Sequence, residues 1–185
     1  ERLPLYQAWF EEASTDTGID WRLLAAIGYQ ESRWDETAVS TTGVRGLMML
    51  TAETAQRVKI TDRTDPRSSI LGAARYLALI KHTIPEHIPE PDRTWLTLAA
   101  YNIGYGHLED ARILAQSAGR DPDSWDAVRE KLPLLAQERW FMHTRRGYAR
   151  GWEPVGFVRN VQTYLQILEW MTSGPKPSGE PRKTS

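Results

Sequence analysis

Apolar residues recur every three or four positions along most of this chain, which is the spacing that places side chains on one face of an α-helix. Near the start, Leu5, Trp9 and Ala13 follow this pattern, and Gly18 is placed to end the helix. Residues that can cap a helix N-terminus precede three of the predicted helices, at Asp20, Asp65 and Asp92. The pattern predicts helices at about residues 5–13, 21–31, 51–58, 66–80, 93–102, 108–118, from 124 onward, and 155–171.

The pattern favours a mostly α fold. A chain of 185 residues is long enough for one domain with a sizeable core and too short for two ordinary domains. Apart from a short extended piece near residues 39–44, no segment has the alternating polarity of a strand. Residues 173–185 contain three prolines, two glycines and little that can be buried, so we expect one domain over residues 1–172 and a disordered tail after it.

The composition and motifs of the chain argue against several classes of function. The 24 acidic and 23 basic residues give a net charge of -1, so no basic field predicts binding to nucleic acid. The chain has no cysteine, its four histidines lack paired metal-ligand spacing, and no Gly-rich phosphate loop is present, so neither a metal nor a cofactor is predicted. No apolar run approaches the roughly 20 residues of a transmembrane segment.

One glutamate has an environment that suits acid catalysis. Glu31 ends an otherwise apolar segment that runs from Leu23 to Tyr29. Loss of water at such a position disfavours the charged carboxylate and raises its pKa, which makes the group a proton donor near neutral pH. A glutamate at a helix end is more often a solvated charge or an ion-pair partner than a catalytic acid. Other residues of the chain are therefore needed to distinguish these interpretations of Glu31.

Three motifs along the chain, the first of which begins at Glu31, resemble in sequence and order those of the lytic transglycosylases of bacterial cell-wall turnover. The first is a Glu-Ser signature, followed by small and serine positions and a Gly-x-x-Gly-Leu-Met run. The second is an Ala-Tyr-Asn-x-Gly motif, and the third stands where the family has Glu-x-x-x-Tyr-Val. In this chain they are Glu31 to Trp34 with Ala38, Ser40, Gly43 and Gly46 to Met48; Ala99 to Gly104; and Glu153 to Val158.

The resemblance implies a lysozyme-like helical catalytic domain over residues 1–172, of the goose-type lysozyme and lytic transglycosylase kind, with an active-site cleft. It implies cleavage of the β-1,4 bond between N-acetylmuramic acid and N-acetylglucosamine without water, which leaves 1,6-anhydro ends. Glu31 would be the single catalytic residue, first as acid and then as base, and no cofactor or metal is implied. The residues implied to bind the substrate are Ser40, Met48, Tyr101, Asn102 and Glu153.

The resemblance also sets expectations for the full-length protein, and it leaves alternatives open. It implies peptidoglycan strands as the partner, a periplasmic location at the outer membrane, and a preceding regulatory domain similar to solute-binding proteins. Met49 stands at the family's usual glutamine position and Phe157 replaces its tyrosine, so the fine contacts with substrate remain open. The alternatives are a goose-type lysozyme, which uses water, and a catalytically inactive glycan-binding domain.

Overall fold

The computed structural model describes residues 2–173, and these residues form helices joined by loops. The tail predicted from residue 173 onward lies, apart from Ser173, outside the described residues. One segment, Leu132–Ala136, is a short 3-10 helix. The α-helices are α1 Leu3–Thr17, α2 Trp21–Ser32, α3 Ala52–Arg57, α4 Pro66–Thr83, α5 Asp92–Ile103, α6 Tyr105–Ser117, α7 Trp125–Lys131, α8 Glu138–Phe141 and α9 Trp152–Thr172.

Two of the three expected caps are confirmed. The Asp20 carboxylate accepts the backbone N–H of Arg22, and that of Asp65 accepts the N–H of Ser68, so each satisfies a donor that the first turn of its helix leaves free. The third expectation is wrong, because α5 already includes Asp92. The Asp92 carboxylate instead accepts the backbone N–H at position 125, 2.8 Å away, and so caps α7 from a distant part of the chain.

The core brings the ends of three helices together. Helix α9 packs against α2 and α5, while α1 packs against α2 and α4. Between α2 and α9, the rings of Tyr29 and Tyr164 meet edge to face with centroids 4.6 Å apart. Helices α2, α5 and α9 each contribute two fully buried apolar side chains: Leu24, Ile27, Leu96, Leu98, Val158 and Val161. This packing places the C-terminal parts of α2 and α5 beside α9.

The segment between α2 and α3 is a long loop that folds back on itself. Its one β-bridge, between Val39 and Arg45, confirms the short extended piece expected near residues 39–44. Gly46 has φ of 98°, and a Cβ there would lie 2.5 Å from the carbonyl oxygen of Arg63, so only glycine fits. Within the described part of the chain, no helix is both long and apolar enough to cross a bilayer.

Candidate active site

Glu31 lies in the last turn of α2, at the edge of a groove with a volume of about 590 Å³. The groove is lined by the end of α2, by most of residues 38–44 and by Met49. Burial raises the pKa of Glu31 from 4.5 to about 7, because the neighbouring apolar atoms displace the water that would solvate the charge. A large share of the molecules therefore carries a proton on this carboxyl at neutral pH.

The chain turns sharply after Glu31 and continues into the loop that lines the groove. The Ser32 hydroxyl donates to the carbonyl oxygen of Leu47, 2.7 Å away, and so ties the end of α2 to the loop that follows. The next two residues, Arg33 and Trp34, have left-handed φ values of 56°. The Trp34 indole N–H donates to the Ala25 carbonyl oxygen at 2.8 Å, which folds the loop against α2.

Tyr101 on α5 places a neutral phenol beside the acid. Burial raises the pKa of Tyr101 well above its usual value of 10.0, and the nearby negative charge of Glu31 raises it further. Its ring packs against Tyr76 of α4, with centroids 5.6 Å apart, and stacks on Phe157 of α9 at 6.1 Å. The phenol is therefore held in place from two sides and stays protonated, so it can donate a hydrogen bond near Glu31.

Phe157 occupies the position where the family motif has tyrosine. Its side chain is 5% exposed and supports the Tyr101 ring through stacking. Tyr76, which the sequence patterns did not single out, supports the same ring from the opposite helix. The sequence gives little indication of this role for Tyr76, because a tyrosine next to a core leucine such as Leu77 is an ordinary feature of an amphipathic helix.

Ser40 also lies on the groove, where it holds the tip of the loop. Its hydroxyl accepts the backbone N–H of Val44 at 2.9 Å and lies 3.1 Å from the Thr42 hydroxyl. Met48 points elsewhere, because its side chain is 1% exposed and packs in the core beneath α2. Met49, with φ of 49°, turns the chain so that its own side chain lines the groove instead.

The remaining two expected substrate contacts lie outside the groove around Glu31. Asn102 is exposed and follows Tyr101 at the end of α5. Glu153 is exposed in the first turn of α9 and forms an ion pair of 2.9 Å with Arg150. Because Phe157 lies one turn further along α9, both residues flank the aromatic cluster that supports Tyr101.

The transglycosylase SLT domain family matches residues 8–123, which include Glu31, the groove loop and Tyr101. The chain belongs to this family. The run Gly-Leu-Met-Met-Leu-Thr from residue 46 indicates the branch of membrane-bound lytic murein transglycosylase F, and the comparison with curated proteins confirms that interpretation.

Two of these relatives show how far the similarity extends. The chain is 56% identical to membrane-bound lytic murein transglycosylase F 1 of Alkalilimnicola ehrlichii, over 97% of this chain and 37% of that protein. It is 58% identical to membrane-bound lytic murein transglycosylase F of Marinobacter nauticus, over 96% of this chain and 35% of that protein. The chain thus spans little more than a third of the length of these relatives.

Solved structures support the fold. The lytic transglycosylase Slt of Pseudomonas aeruginosa, solved as an inactive mutant, superposes with a TM-score of 0.64 at 22% identity, over 92% of this chain and 25% of that chain. The 70 kDa soluble lytic transglycosylase of Escherichia coli superposes with a TM-score of 0.66 at 23% identity, over 91% of this chain and 24% of that chain. The expected lysozyme-like helical fold is therefore confirmed.

Proposed function

We propose that this chain is the catalytic domain of a lytic murein transglycosylase. Its reaction would be cleavage of the β-1,4 bond between N-acetylmuramic acid and N-acetylglucosamine, leaving a 1,6-anhydro end. The observation that carries the proposal is the position of Glu31, a carboxyl on a groove whose pKa burial raises to about 7. Family membership and the 54–58% identity to named murein transglycosylases support the same reaction.

In the first step, Glu31 donates its proton to the glycosidic oxygen as the bond from this oxygen to the anomeric carbon breaks. A carboxyl that is still protonated near neutral pH suits this role. The positive charge that develops on the anomeric carbon needs a partner. Among the described residues that line the groove, Glu31 is the only acid. The oxygen of the substrate's own acetamide group takes the place that a second carboxylate occupies in many glycosidases.

In the second step, the ionised Glu31 accepts the proton of the C6 hydroxyl group of the same sugar. The C6 oxygen then attacks the anomeric carbon, the acetamide oxygen leaves it, and a 1,6-anhydro ring closes. Glu31 ends the cycle protonated, as it began, and no water is consumed. One carboxyl group therefore suffices for both steps, which agrees with the single acid on the groove.

Other side chains orient the sugar. The neutral phenol of Tyr101 donates a hydrogen bond to the acetamide or to the Glu31 carboxylate, and the Ser40 hydroxyl contacts the sugar from the loop side. Asn102 and Glu153 bind parts of the strand beyond the reacting sugar. Met48 is not assigned a contact with the sugar, because its side chain is 1% exposed and packs in the core beside Gly28 of α2.

Mass spectrometry of products separates this reaction from hydrolysis. Purified sacculi digested with the protein should release muropeptides that are lighter by one water than the reducing-end products of a lysozyme. Products with ordinary reducing ends would assign the chain to the goose-type lysozymes, which share the architecture and use water.

The variant Glu31→Gln separates an enzyme from an inactive glycan-binding domain. We expect it to lower the rate of strand cleavage by about 10²-fold to 10⁴-fold, the usual contribution of a general acid, while the circular dichroism spectrum is unchanged. Glu36→Gln is a matched control, because Glu36 is an exposed acid five residues along the chain. Cleavage at the parent rate by Glu31→Gln would refute the assignment of the acid.

We further propose that the full-length protein lies in the periplasm at the outer membrane, with a regulatory domain similar to solute-binding proteins before this one. The word membrane-bound in the names of its relatives supports the location. The additional length of these relatives accommodates such a domain. Fractionation of cells that express the full-length protein, with detection in the outer-membrane fraction, tests the location.

A further inference from the structure

A second cavity, with a volume of about 390 Å³, lies beside α4 and shares no lining residue with the groove around Glu31. One wall is a stripe along α4, at positions 75, 78, 79 and 82. These positions are three, four and seven apart, so their side chains lie on one side of the helix. The other walls are the last two residues of α1 and the turn at residues 57–59, which ends α3. The cavity is thus built where three helices meet.

The charged side chains that line this cavity are mostly cations. Asp16 is the one acid among the described residues of the lining, and it is neutralised by Arg75, whose Nε lies 2.8 Å from its Oδ2. Arg57 and Lys59 also line the cavity, and within residues 2–173 neither of them forms an ion pair. His82 adds a further positive charge when it is protonated. The cavity therefore has an excess of positive charge.

An ordered turn holds the two unpaired cations beside the cavity. Arg57 ends α3, and its guanidinium lies over the ring of Tyr76, with Cζ 5.8 Å from the ring centroid. Lys59 has a left-handed φ of 59°, and the Ile60 N–H closes the turn around it by donating to the Ala55 carbonyl oxygen at 2.8 Å. Glycine is the usual residue in such a conformation after a helix. The backbone therefore does not explain a lysine at this position.

Helix ends offer a competing explanation for part of this charge. Arg57 lies in the last turn of α3 and His82 in the last turn of α4, where a cation offsets the exposed carbonyl groups. This explanation does not cover Lys59, which lies beyond the end of α3. Nor does it explain why cations from distant parts of the chain converge on one concave surface.

We propose that this cavity is a binding site for a small oxyanion, a carboxylate or a phosphate group, held by Arg57 and Lys59. The inference goes beyond the proposed function and does not depend on it. A guanidinium group can donate two parallel hydrogen bonds to the oxygens of either anion, and an ammonium group supplies a compact positive charge. Ala78 and Leu79 line the same cavity, so an anion attached to a short carbon chain also has apolar atoms to contact.

Titration with simple anions, followed by nuclear magnetic resonance, tests the site. Inorganic phosphate and citrate, each added to isotope-labelled protein, should shift the backbone amide signals of residues 57–59 and 75–82 until the site is saturated. Tighter binding of phosphate would assign the ligand to the phosphate esters, and tighter binding of citrate to the carboxylates. Equal shifts with sodium chloride at the same ionic strength, or no shift of these signals, would overturn the site and leave the cations as partners of the helix ends.

Two variants separate anion binding from stability. Arg57→Ala should raise the dissociation constant of the tighter-binding probe by about tenfold, because it removes a charge-assisted contact. Lys59→Gly should weaken binding to a similar extent, while its melting temperature without anion stays equal to that of the parent or rises, since glycine suits the left-handed conformation. Parent affinity in both variants would overturn the site.

Arg159→Ala is the matched control. Arg159 is an exposed arginine on α9, and it does not line the cavity. This variant should bind phosphate and citrate with the dissociation constants of the parent. A loss of affinity as large as that of Arg57→Ala would show that the anions respond only to the total charge, and it would overturn the site. Because binding is measured without strand cleavage, the outcome does not depend on whether the proposed reaction is correct.

Discussion

The two sides of Glu31, the packed helices behind it and the loop that lines the groove, are built in different ways. On the helical side, Glu31, Tyr101 and Phe157 come from three helices whose packing excludes water, and burial raises the pKa values of the two ionisable groups. On the loop side, short polar side chains such as Ser40 hold the chain through hydrogen bonds to nearby backbone. A proton donor needs the dry environment that packed helices supply, whereas sugar hydroxyl groups need the polar atoms that a loop can offer.

The two sides also differ in what each residue contributes to stability. A buried ring on the helical side removes a large apolar surface from water, while an exposed hydrogen bond on the loop side contributes about 1 kcal/mol. Glu31 is the exception on its side, because its burial favours the neutral form and disfavours the charged one. The following predictions use variants on both sides, starting with the largest expected effect.

Phe157→Ala should have the largest effect on stability. The Phe157 side chain is 5% exposed, and its removal leaves a cavity beneath the Tyr101 ring. We expect the free energy of unfolding to fall by about 3–5 kcal/mol, measured by urea denaturation. Val39→Ala, a loop variant whose parent side chain is 54% exposed, should change it by no more than about 0.5 kcal/mol. Similar losses in both variants would refute the contrast between the two sides.

Glu31→Gln should stabilise the domain in alkaline solution. The folded pKa of about 7 lies above the model value of 4.5, so the folded protein binds the proton more tightly than the unfolded chain does. Stability therefore falls as the pH rises from 4.5 to 7 and is then constant. At pH 8 the variant should be more stable than the parent by at most about 3 kcal/mol, and at pH 4 the two should be equally stable.

Asp35→Asn is the loop-side counterpart, and its effect has the opposite sign. Hydrogen bonds from Thr37 lower the pKa of Asp35, and the Arg2 guanidinium lowers it further. The charged carboxylate thus stabilises the fold above pH 3.8, and this contribution is lost as the pH falls through the lowered folded pKa. The variant should be less stable than the parent at pH 7. A stability profile for Glu31→Gln that parallels that of Asp35→Asn would show that the Glu31 carboxyl is solvated.

The rate of strand cleavage should reflect the same carboxyl. In the proposed mechanism Glu31 must be protonated to begin the reaction, so kcat/KM should fall by about tenfold per pH unit above its pKa of about 7. Initial rates on purified strands between about pH 5 and pH 9 test this, with circular dichroism to show that the fold persists. A fall centred near pH 4.5 would mean that the acid is exposed to water.

Much of the helical side could be predicted from the sequence, because it follows from periodicity and from local capping chemistry. The apolar positions before Glu31 placed this residue at the end of a helix and predicted its raised pKa. The Ala-Tyr-Asn motif singled out Tyr101, which the structure places close enough to Glu31 for the charge of one to shift the pKa of the other. The inference for Glu31 needs only the neighbouring residues along the chain, and the inference for Tyr101 needs only a short sequence motif.

The remainder depends on contacts between distant segments. The sequence could not show that Met49, at φ of 49°, would line the groove while Met48 entered the core, since one residue in a left-handed conformation exchanges the two directions. Nor could it show that Asp92 caps α7 rather than its own helix, a contact across 33 positions. Tyr76 belongs to the same class, because only the tertiary packing of α4 against α5 brings its ring to Tyr101.

The smallest expected effect belongs to Ser40, the polar residue that holds the loop. Its hydroxyl accepts the Val44 N–H at 2.9 Å, and removal of this acceptor leaves the N–H to bond with water instead. Ser40→Ala should therefore lower the free energy of unfolding by about 1 kcal/mol or less. Thr41→Ala is the control, since no hydrogen bond to the Thr41 side chain is found among residues 2–173.

Activity separates the two possible roles of Ser40. If the hydroxyl only shapes the loop, Ser40→Thr should restore both stability and kcat/KM, because threonine keeps the acceptor. If the hydroxyl also donates to the sugar, Ser40→Ala should raise KM by more than its small loss of stability explains, with kcat nearly unchanged, since binding that is equal in ground and transition states affects KM alone. A loss in kcat with no change in KM would instead indicate that Ser40 acts on the reacting bond, as is proposed for Glu31.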